Sequence, residues 1–85
     1  MALTIAYFAW VRERMGIAGE MIDLPDDIAD VGALVAWLGA RDARGAAAFA
    51  EPQRIRAAID GVMMGPDAPL SGAREVALFP PVTGG

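Results

Sequence analysis

The residues with the clearest chemical potential are the last seven, Phe79-Pro80-Pro81-Val82-Thr83-Gly84-Gly85. Two consecutive prolines have a fixed φ and no amide hydrogen, so they end a strand and favour an extended backbone. The terminal glycines carry no side chain, so this backbone fits a channel too narrow for a Cβ atom. Fully extended, residues 80–85 would reach about 20 Å. The sequence therefore predicts a folded domain at residues 1–79 and an extended tail at residues 80–85.

The reactive group that such a tail presents is the α-carboxylate of Gly85. This group has an ordinary pKa of ~3.3–3.7, so it is ionised at neutral pH and is a poor electrophile. It becomes reactive when another enzyme converts it to a mixed anhydride, for example with ATP. A frayed end of small residues is the alternative, because chain termini are often disordered. The Pro-Pro pair before Gly-Gly favours a tail that is delivered into partner active sites.

Composition leaves the chain few other reactive groups. The 85 residues include no cysteine, histidine or lysine, and all seven basic residues are arginine. A disulfide, a thiolate nucleophile, a cysteine persulfide and a Schiff base are therefore excluded, and the commonest general base is absent. Asp26, Asp27 and Asp30 lack EF-hand spacing and are better explained by the dipole of a following helix. No metal site and no bound cofactor are predicted.

The overall charge limits the classes of partner. The formal net charge is −4 and no basic stripe is present, so nucleic acid and anionic membranes are not expected, whereas a basic protein surface is. The apolar residues 1–11 lack a positively charged leader and are too short to span a bilayer. We therefore predict that this stretch forms a strand and that the protein is cytoplasmic. A single small domain of this size buries a modest core, which a permanent partner would supplement.

Hydrophobic periodicity predicts the elements that hold the tail. Alternation over residues 3–9 places Leu3, Ile5 and Tyr7 on the core face of a first strand. Asp30 is the predicted N-cap of a helix over residues 31–41. Further strands are predicted at residues 20–24, 55–59, 62–64 and 75–79, with a short turn or a single helical turn at 11–16 and one helical turn at 46–50. The strands at 55–59 and 62–64 are joined by Asp60-Gly61, which suits a two-residue hairpin turn.

Strand alternation also predicts an apolar patch at the base of the tail. If the first and last strands are neighbours, Phe8 and Phe79 lie on the same outer face of the sheet. Met63 and Met64 point to opposite faces, so one is expected in the core and the other, taken as Met63, in the patch. The patch favours a docking surface over scattered exposed apolar residues. Arg12 is by itself expected to be a solvated surface charge.

The predicted order of elements is that of a β-grasp (ubiquitin-like) fold, an α+β architecture in which one main helix packs across a mixed sheet. The chain resembles the small, sulfur-carrying subunits of molybdopterin synthase over nearly its whole length. The resemblance is carried by Tyr7-Phe8-Ala9 followed by Val11-Arg12-Glu13, by Ala57-Ala58-Ile59-Asp60, and above all by the segment from Glu75 to Gly85. Two departures are Asp60, where the family often has Asn, and Gly72-Ala73-Arg74, where it usually has acid-Gly-acid.

The resemblance implies a sulfur donor that is not an enzyme on its own. An adenylating enzyme akin to the ubiquitin-activating family would use ATP on Gly85, and a sulfur-mobilising enzyme would convert the adenylate to a thiocarboxylate. The tail would then enter the large subunit of molybdopterin synthase, in an assembly of two large and two small subunits. There it would pass sulfur to cyclic pyranopterin monophosphate in molybdenum cofactor biosynthesis, with the active-site residues supplied by the large subunit.

The resemblance also assigns roles to individual residues. Gly85 is the adenylated and thiocarboxylated group, and the threaded tail consists of Gly84, Thr83, Val82, Pro81 and Pro80. The positions that face the large subunit in this family are matched by Phe8, Arg12, Met63 and Phe79. Arg12 is thereby raised from a surface charge to a docking residue.

Three other functions stay open at this point. One is a sulfur carrier for thiamine or tRNA thiolation, although thiamine carriers are usually shorter and lack the Pro-Pro pair. Another is a ubiquitin-like modifier attached to target lysines through Gly85, since activation by adenylation is shared. The last is a binding module with an inert tail, for which deletion of Gly84-Gly85 would change nothing.

Overall fold

The computed structural model describes residues 1–81; the roles expected for Val82, Thr83, Gly84 and Gly85 fall outside the described residues. The strands are β1 (Ala2–Tyr7), β2 (Gly19–Asp23), β3 (Arg56–Ile59), β4 (Val62–Met64) and β5 (Glu75–Phe79). The helices are α1 (Ala9–Met15), α2 (Val31–Arg41) and α3 (Ala43–Ala48), and a 3₁₀ turn spans Pro52–Arg54.

The five strands form one mixed sheet in the order β2-β1-β5-β3-β4. The central pair, β1 and β5, is parallel and sets Thr4 opposite Glu75 and Tyr7 opposite Leu78. The other pairs are antiparallel. The first and last strands are therefore neighbours, which is the condition on which the predicted apolar patch depended.

The core lies between one face of the sheet and the helices. The inward residues of β1 and β5 are fully buried, and the stripe on α2 is buried with them. These are Leu3, Ile5, Tyr7, Val76 and Leu78 from the strands, and Val31, Leu34, Val35 and Leu38 from α2. Strand alternation predicted the three from β1, and the other six follow the same two-residue and 3.6-residue periods, which leave little choice of inward face.

Local side-chain chemistry fixes the ends of several elements. The carboxylate of Asp30 accepts a hydrogen bond from the amide of Ala33 over 2.8 Å, so the predicted N-cap of α2 is confirmed. Gly16 ends α1 in the left-handed conformation, with φ 77°. Asp60 and Gly61 also have positive φ, 48° and 85°, as the hairpin turn between β3 and β4 requires.

Three predictions about local structure were wrong. The first strand ends at Tyr7 rather than Ala9, because Ala9 already begins a helix of two turns where only a short turn or a single helical turn at 11–16 was expected. The helical turn expected at 46–50 is instead α3, which begins after Asp42 caps the amide of Gly45 over 2.8 Å. Met64 is 41% exposed rather than in the core, because β4 is the edge strand and the side chain borders an apolar cleft of about 400 Å³.

Candidate docking face and tail exit

The candidate site lies where β5 ends and Pro80 continues the chain. On one side of β5, the amide of Phe8 donates a hydrogen bond to the carbonyl oxygen of Leu78 over 3.1 Å. On the other side, Arg56 stands opposite Phe79 in the antiparallel pairing of β3 with β5. The chain therefore leaves the sheet between the start of α1 and the start of β3. We call this side of the sheet the tail end, and the side where β5 begins the closed end.

Three alanines lie side by side across the outer face of the sheet. The strand register sets Ala6 opposite Ala77, Ala77 opposite Ala58, and Ala58 opposite Met63 on the edge strand. These small side chains make a shallow apolar strip, and Met63 at its border is 60% exposed. Because alanine side chains are small, the strip is nearly flat. The larger side chains at its margins therefore determine which partner surface can pack against it.

The larger side chains are Phe8 and Phe79, one pleat nearer the tail than the alanines. Phe8 is 49% exposed, and Phe79 is half-buried next to the fully buried Leu78. We use the term docking face for the surface formed by Phe8, Phe79, Met63 and the three alanines. The register places Met63 and Phe79 on the outer face, and Phe8, which is extended and lies two residues after Ala6, continues that face.

Arg12 lies beside this face rather than on it. Its amide donates to the carbonyl oxygen of Phe8 over 3.3 Å, which places it one helical turn beyond the end of β1. It borders a shallow depression together with Gly16 and Ala18. The structure thus brings Arg12 next to Phe8, whereas Met63 is at the opposite border of the docking face.

The chain makes a strained turn between the docking face and α1. Ala9 has φ 52°, in the left-handed region that costs a residue with a Cβ atom roughly 1–2 kcal/mol. The turn lets Phe8 point to the outer face while Val11, three residues later, is fully buried. This turn was not predicted, because an alanine in the sequence gives no signal for positive φ.

A second unpredicted feature supports the tail end from the core side. The Tyr7 hydroxyl donates to Glu20 Oε2 over 2.7 Å, and Arg41 donates to both oxygens of Glu20 over 3.0 and 2.7 Å. The hydrogen bonds from Arg41 hold the pKa of Glu20 below its ordinary value, although partial burial opposes them. Burial, reinforced by Glu20, raises the pKa of Tyr7. The network ties β2 and the end of α2 to the residue that precedes Phe8.

The closed end has its own carboxylate clamp. Asp60 accepts hydrogen bonds from the amides of Arg74, over 3.1 Å, and Glu75, over 2.9 Å. The amide of Asp60 in turn donates to the carbonyl oxygen of Glu75 over 2.9 Å. From the sequence Asp60 was predicted only to form a turn, because the amides that it binds belong to residues 14 and 15 positions further along the chain. The clamp fixes the start of β5, so the unusual Gly72-Ala73-Arg74 segment is still held to the sheet.

Two other kinds of feature are missing from the part of the chain that the structure describes. Within residues 1–81, no helix is long and apolar enough to cross a membrane. Over the same residues, no group of three or more acidic side chains is arranged to hold a metal ion.

Comparison with known proteins identifies the family. Residues 5–85 match the model of the ThiS family. The chain belongs to the ThiS family. Two curated relatives are named molybdopterin synthase sulfur carrier subunit. The protein from Escherichia coli (strain K12) is 36% identical and that from Haemophilus influenzae 34%, each over 98% of this chain and 99% of its own length.

The fold of this ThiS family member also has close structural counterparts. The crystal structure of SAMP1 from Haloferax volcanii matches it with a TM-score of 0.72 and 23% identity, covering 100% of both chains. At that identity the match shows the fold alone. The β-grasp fold and the resemblance to molybdopterin synthase sulfur carriers are both confirmed.

Proposed function

We propose that this chain is the sulfur carrier subunit of a molybdopterin synthase and carries sulfur as a thiocarboxylate on Gly85. The observation that supports this most strongly is the 36% identity to a sulfur carrier subunit along 98% of the chain. The fold supports it further, because Pro80 and Pro81 leave the sheet beside an exposed apolar face. The absence of cysteine, histidine and lysine is consistent with it, since the terminal carboxyl is then the natural place for sulfur.

The proposed chemistry proceeds in two steps before transfer. A carboxylate oxygen of Gly85 attacks the α-phosphorus of ATP on an adenylating enzyme, so pyrophosphate leaves and an acyl adenylate forms. A sulfur nucleophile at the oxidation level of sulfide then attacks the carbonyl carbon. The new C–S bond replaces the C–O bond to AMP, which leaves. The product is a thiocarboxylate, a better nucleophile than the carboxylate it replaces.

The body of the domain would position this group in the large subunit. Phe8, Phe79 and Met63 would pack on the large subunit, with Arg12 at their border, while residues 80–85 reach about 20 Å into its active site. The large subunit would hold cyclic pyranopterin monophosphate and supply the acid–base groups for sulfur transfer. This chain would contribute the reacting sulfur, the length of the tail and the apolar anchors.

Intact mass spectrometry tests the proposal directly. The purified chain is incubated with ATP, sulfide and the adenylating enzyme from the same genome. We expect a mass increase equal to the exchange of one oxygen for one sulfur. Oxidation of a methionine gives nearly the same increase, and the chain has five methionines. Tryptic cleavage after Arg74 solves this problem, because residues 75–85 contain no methionine and no further cleavage site.

The control omits ATP, which should leave the mass of the fragment unchanged. A fragment that gains sulfur only with ATP supports the proposal, and transfer to cyclic pyranopterin monophosphate in the presence of the large subunit completes it. A fragment that never gains sulfur with an active adenylating enzyme would overturn it. Isopeptide-linked adducts formed through Gly85, with no thiocarboxylate, would replace it with the protein-modifier function.

A further inference from the structure

The arginines of this acidic chain are concentrated around the tail exit. Helix α1 and residues 51–56 together carry four arginines and two glutamates, a net charge of +2. The rest of the chain has three arginines and nine acidic residues, a net charge of −6. The four arginines are Arg12, Arg14, Arg54 and Arg56. The tail end therefore has the opposite sign to the molecule as a whole.

Trp10 connects the segments on the two sides of the tail exit. The guanidinium carbon of Arg14 lies 4.2 Å from the centroid of the Trp10 ring, and that of Arg54 lies 5.8 Å from the same centroid. The two guanidinium carbons are thus at most 10 Å apart. Arg14 lies on α1, the helix that follows Phe8. Arg54 lies two residues before Arg56, which stands opposite Phe79. The cation–π contacts hold two like charges together across the end of β5.

The internal contacts of these arginines leave much of their charge available. Arg54 has its nearest carboxylate oxygen, on Glu51, at 3.9 Å, and both side chains are more than half exposed. Arg56 donates to the carbonyl oxygens of Gln53 and Ile55, which carry no formal charge. Two nearby cations repel each other, and exposed cation–π contacts offset this by only ~0.5–1 kcal/mol each. The arrangement is better explained by an external anionic partner than by stability.

The reach of the tail limits what that partner is. A fully extended run from residue 80 to residue 85 places the carboxylate of Gly85 about 20 Å from the arginines. A nucleotide or phosphate that reacts with Gly85 in such a channel is therefore beyond their contact distance. What the arginines meet is the protein surface around the entrance to the channel.

We propose that Trp10, Arg14, Arg54 and Arg56 form a cationic collar that docks on an acid-rich rim of the large subunit, at the entrance to the channel that receives the tail. The net charge of −4 suggested a basic partner surface, and the collar reverses this locally. The collar is distinct from the apolar docking face. It would orient the molecule during its approach to the large subunit, because the positive tail end is attracted to an acidic rim. The proposal rests on the proposed function, since it assumes that the tail enters a partner.

Association kinetics with the large subunit from the same genome test the collar. The variants Arg14→Gln and Arg54→Gln each remove one positive charge, while Arg54→Lys keeps the charge. The matched control is Arg74→Gln, which removes the same charge at the closed end. We expect the two collar variants to associate ~2–5-fold more slowly at low salt and to show a weaker salt dependence, because rim charges act mainly on association. Arg54→Lys and Arg74→Gln should stay within about 1.5-fold of the wild type.

The outcomes separate the collar from the proposed function. Equal rates for wild type and both collar variants at every salt concentration would overturn the collar, as would an equal slowing by Arg74→Gln. An effect confined to association with the adenylating enzyme would also contradict it. If the wild type gains no sulfur on Gly85, the proposed function fails whatever the rates show. Thermal unfolding of each variant confirms that the folded protein is being compared.

Discussion

The two ends of the sheet differ in how their polar and apolar groups are satisfied. At the closed end, the carboxylate of Asp60 binds two backbone amides where β5 begins. At the tail end, Phe8 is 49% exposed and the arginines near Trp10 are exposed as well. The side chain of Asp60 at the closed end thus stabilises the fold, whereas the exposed side chains of the tail end are available to a partner. A small domain can serve both needs because β5 passes through its centre and connects the two ends.

This contrast predicts separable effects of mutation. Changes to the exposed side chains of the docking face, or to the tail itself, should lower sulfur transfer or binding and leave the free energy of unfolding nearly unchanged. Changes at the closed end should do the reverse. A mutation at either end that altered both properties equally would show that the ends are coupled through the sheet.

The largest effect is expected from one residue added after Gly85. The reacting atom would shift by about one residue length along the channel, and misplacement by about 1 Å can already cost ~100-fold in rate. We expect sulfur transfer to fall by about 100-fold or more, while the dissociation constant for the large subunit changes little. Single-turnover transfer and equilibrium binding measure the two quantities. Normal transfer by the extended protein would contradict a threaded terminus.

The next effect is expected from Phe79→Ala, which removes an aromatic anchor from the docking face. Binding to the large subunit should weaken by ~1–3 kcal/mol, the usual loss for a buried aromatic anchor. Isothermal titration calorimetry measures this loss. The matched control is Met21→Ala, because Met21 is 73% exposed and stands opposite Thr4 on the same outer face, near the closed end. An unchanged dissociation constant for Phe79→Ala would remove that residue from the interface.

A smaller effect, on stability alone, is expected from Asp60→Ala. The substitution removes the acceptor of two amide hydrogen bonds at the start of β5, and a hydrogen bond to a charged group contributes ~1.5–3 kcal/mol at most. Since the site is exposed, we expect a loss of about 1–2 kcal/mol in the free energy of unfolding. Urea denaturation measures it, and Asp67→Ala is the control at another exposed aspartate. Equal stability of wild type and Asp60→Ala would show that the clamp is unimportant.

The smallest effect is the pH dependence due to Glu20. Its pKa is lowered in the folded protein, mainly by Arg41, so its contribution to stability is present above the pKa of the unfolded chain. That contribution is lost as the pH falls through the lower folded value. The stability advantage of wild type over Glu20→Gln should therefore be greatest near neutral pH and shrink below about pH 4.3. Denaturation curves for both proteins between neutral and acidic pH measure it; a constant difference would contradict the network.

The sequence predicted those parts of the fold that depend on local periodicity and turn chemistry. The inward face of β1, the cap at Asp30 and the turn at Asp60-Gly61 follow from spacing and backbone preference. The shared face of Phe8, Phe79 and Met63 also followed, once the first and last strands were assumed to be neighbours. These features need only a residue and its near neighbours in the chain, or a single assumption about pairing.

The features that were missed depend on contacts between distant segments. Met64 lies on the core-facing side of β4 by strand alternation. It is nevertheless exposed, because β4 is at the edge of the sheet. Glu20 and Arg41 are 21 residues apart, and their hydrogen bonds are invisible to periodicity. Trp10 and Arg54 meet only because α1 and β3 flank the same strand. The positive charge of the tail end was missed for a similar reason. The net charge of a chain does not show where on the folded surface its charged residues lie.

The parallel pairing of β1 with β5 has a consequence for the order of synthesis and folding. Thr4 and Glu75 are partners in the sheet, although almost the whole described chain separates them. While the ribosome is still adding the last strand, β1 has only β2 beside it, and β3 with β4 cannot join them. Contacts between such distant residues also slow folding. The domain therefore completes its sheet only when the segment that leads into the tail has been made.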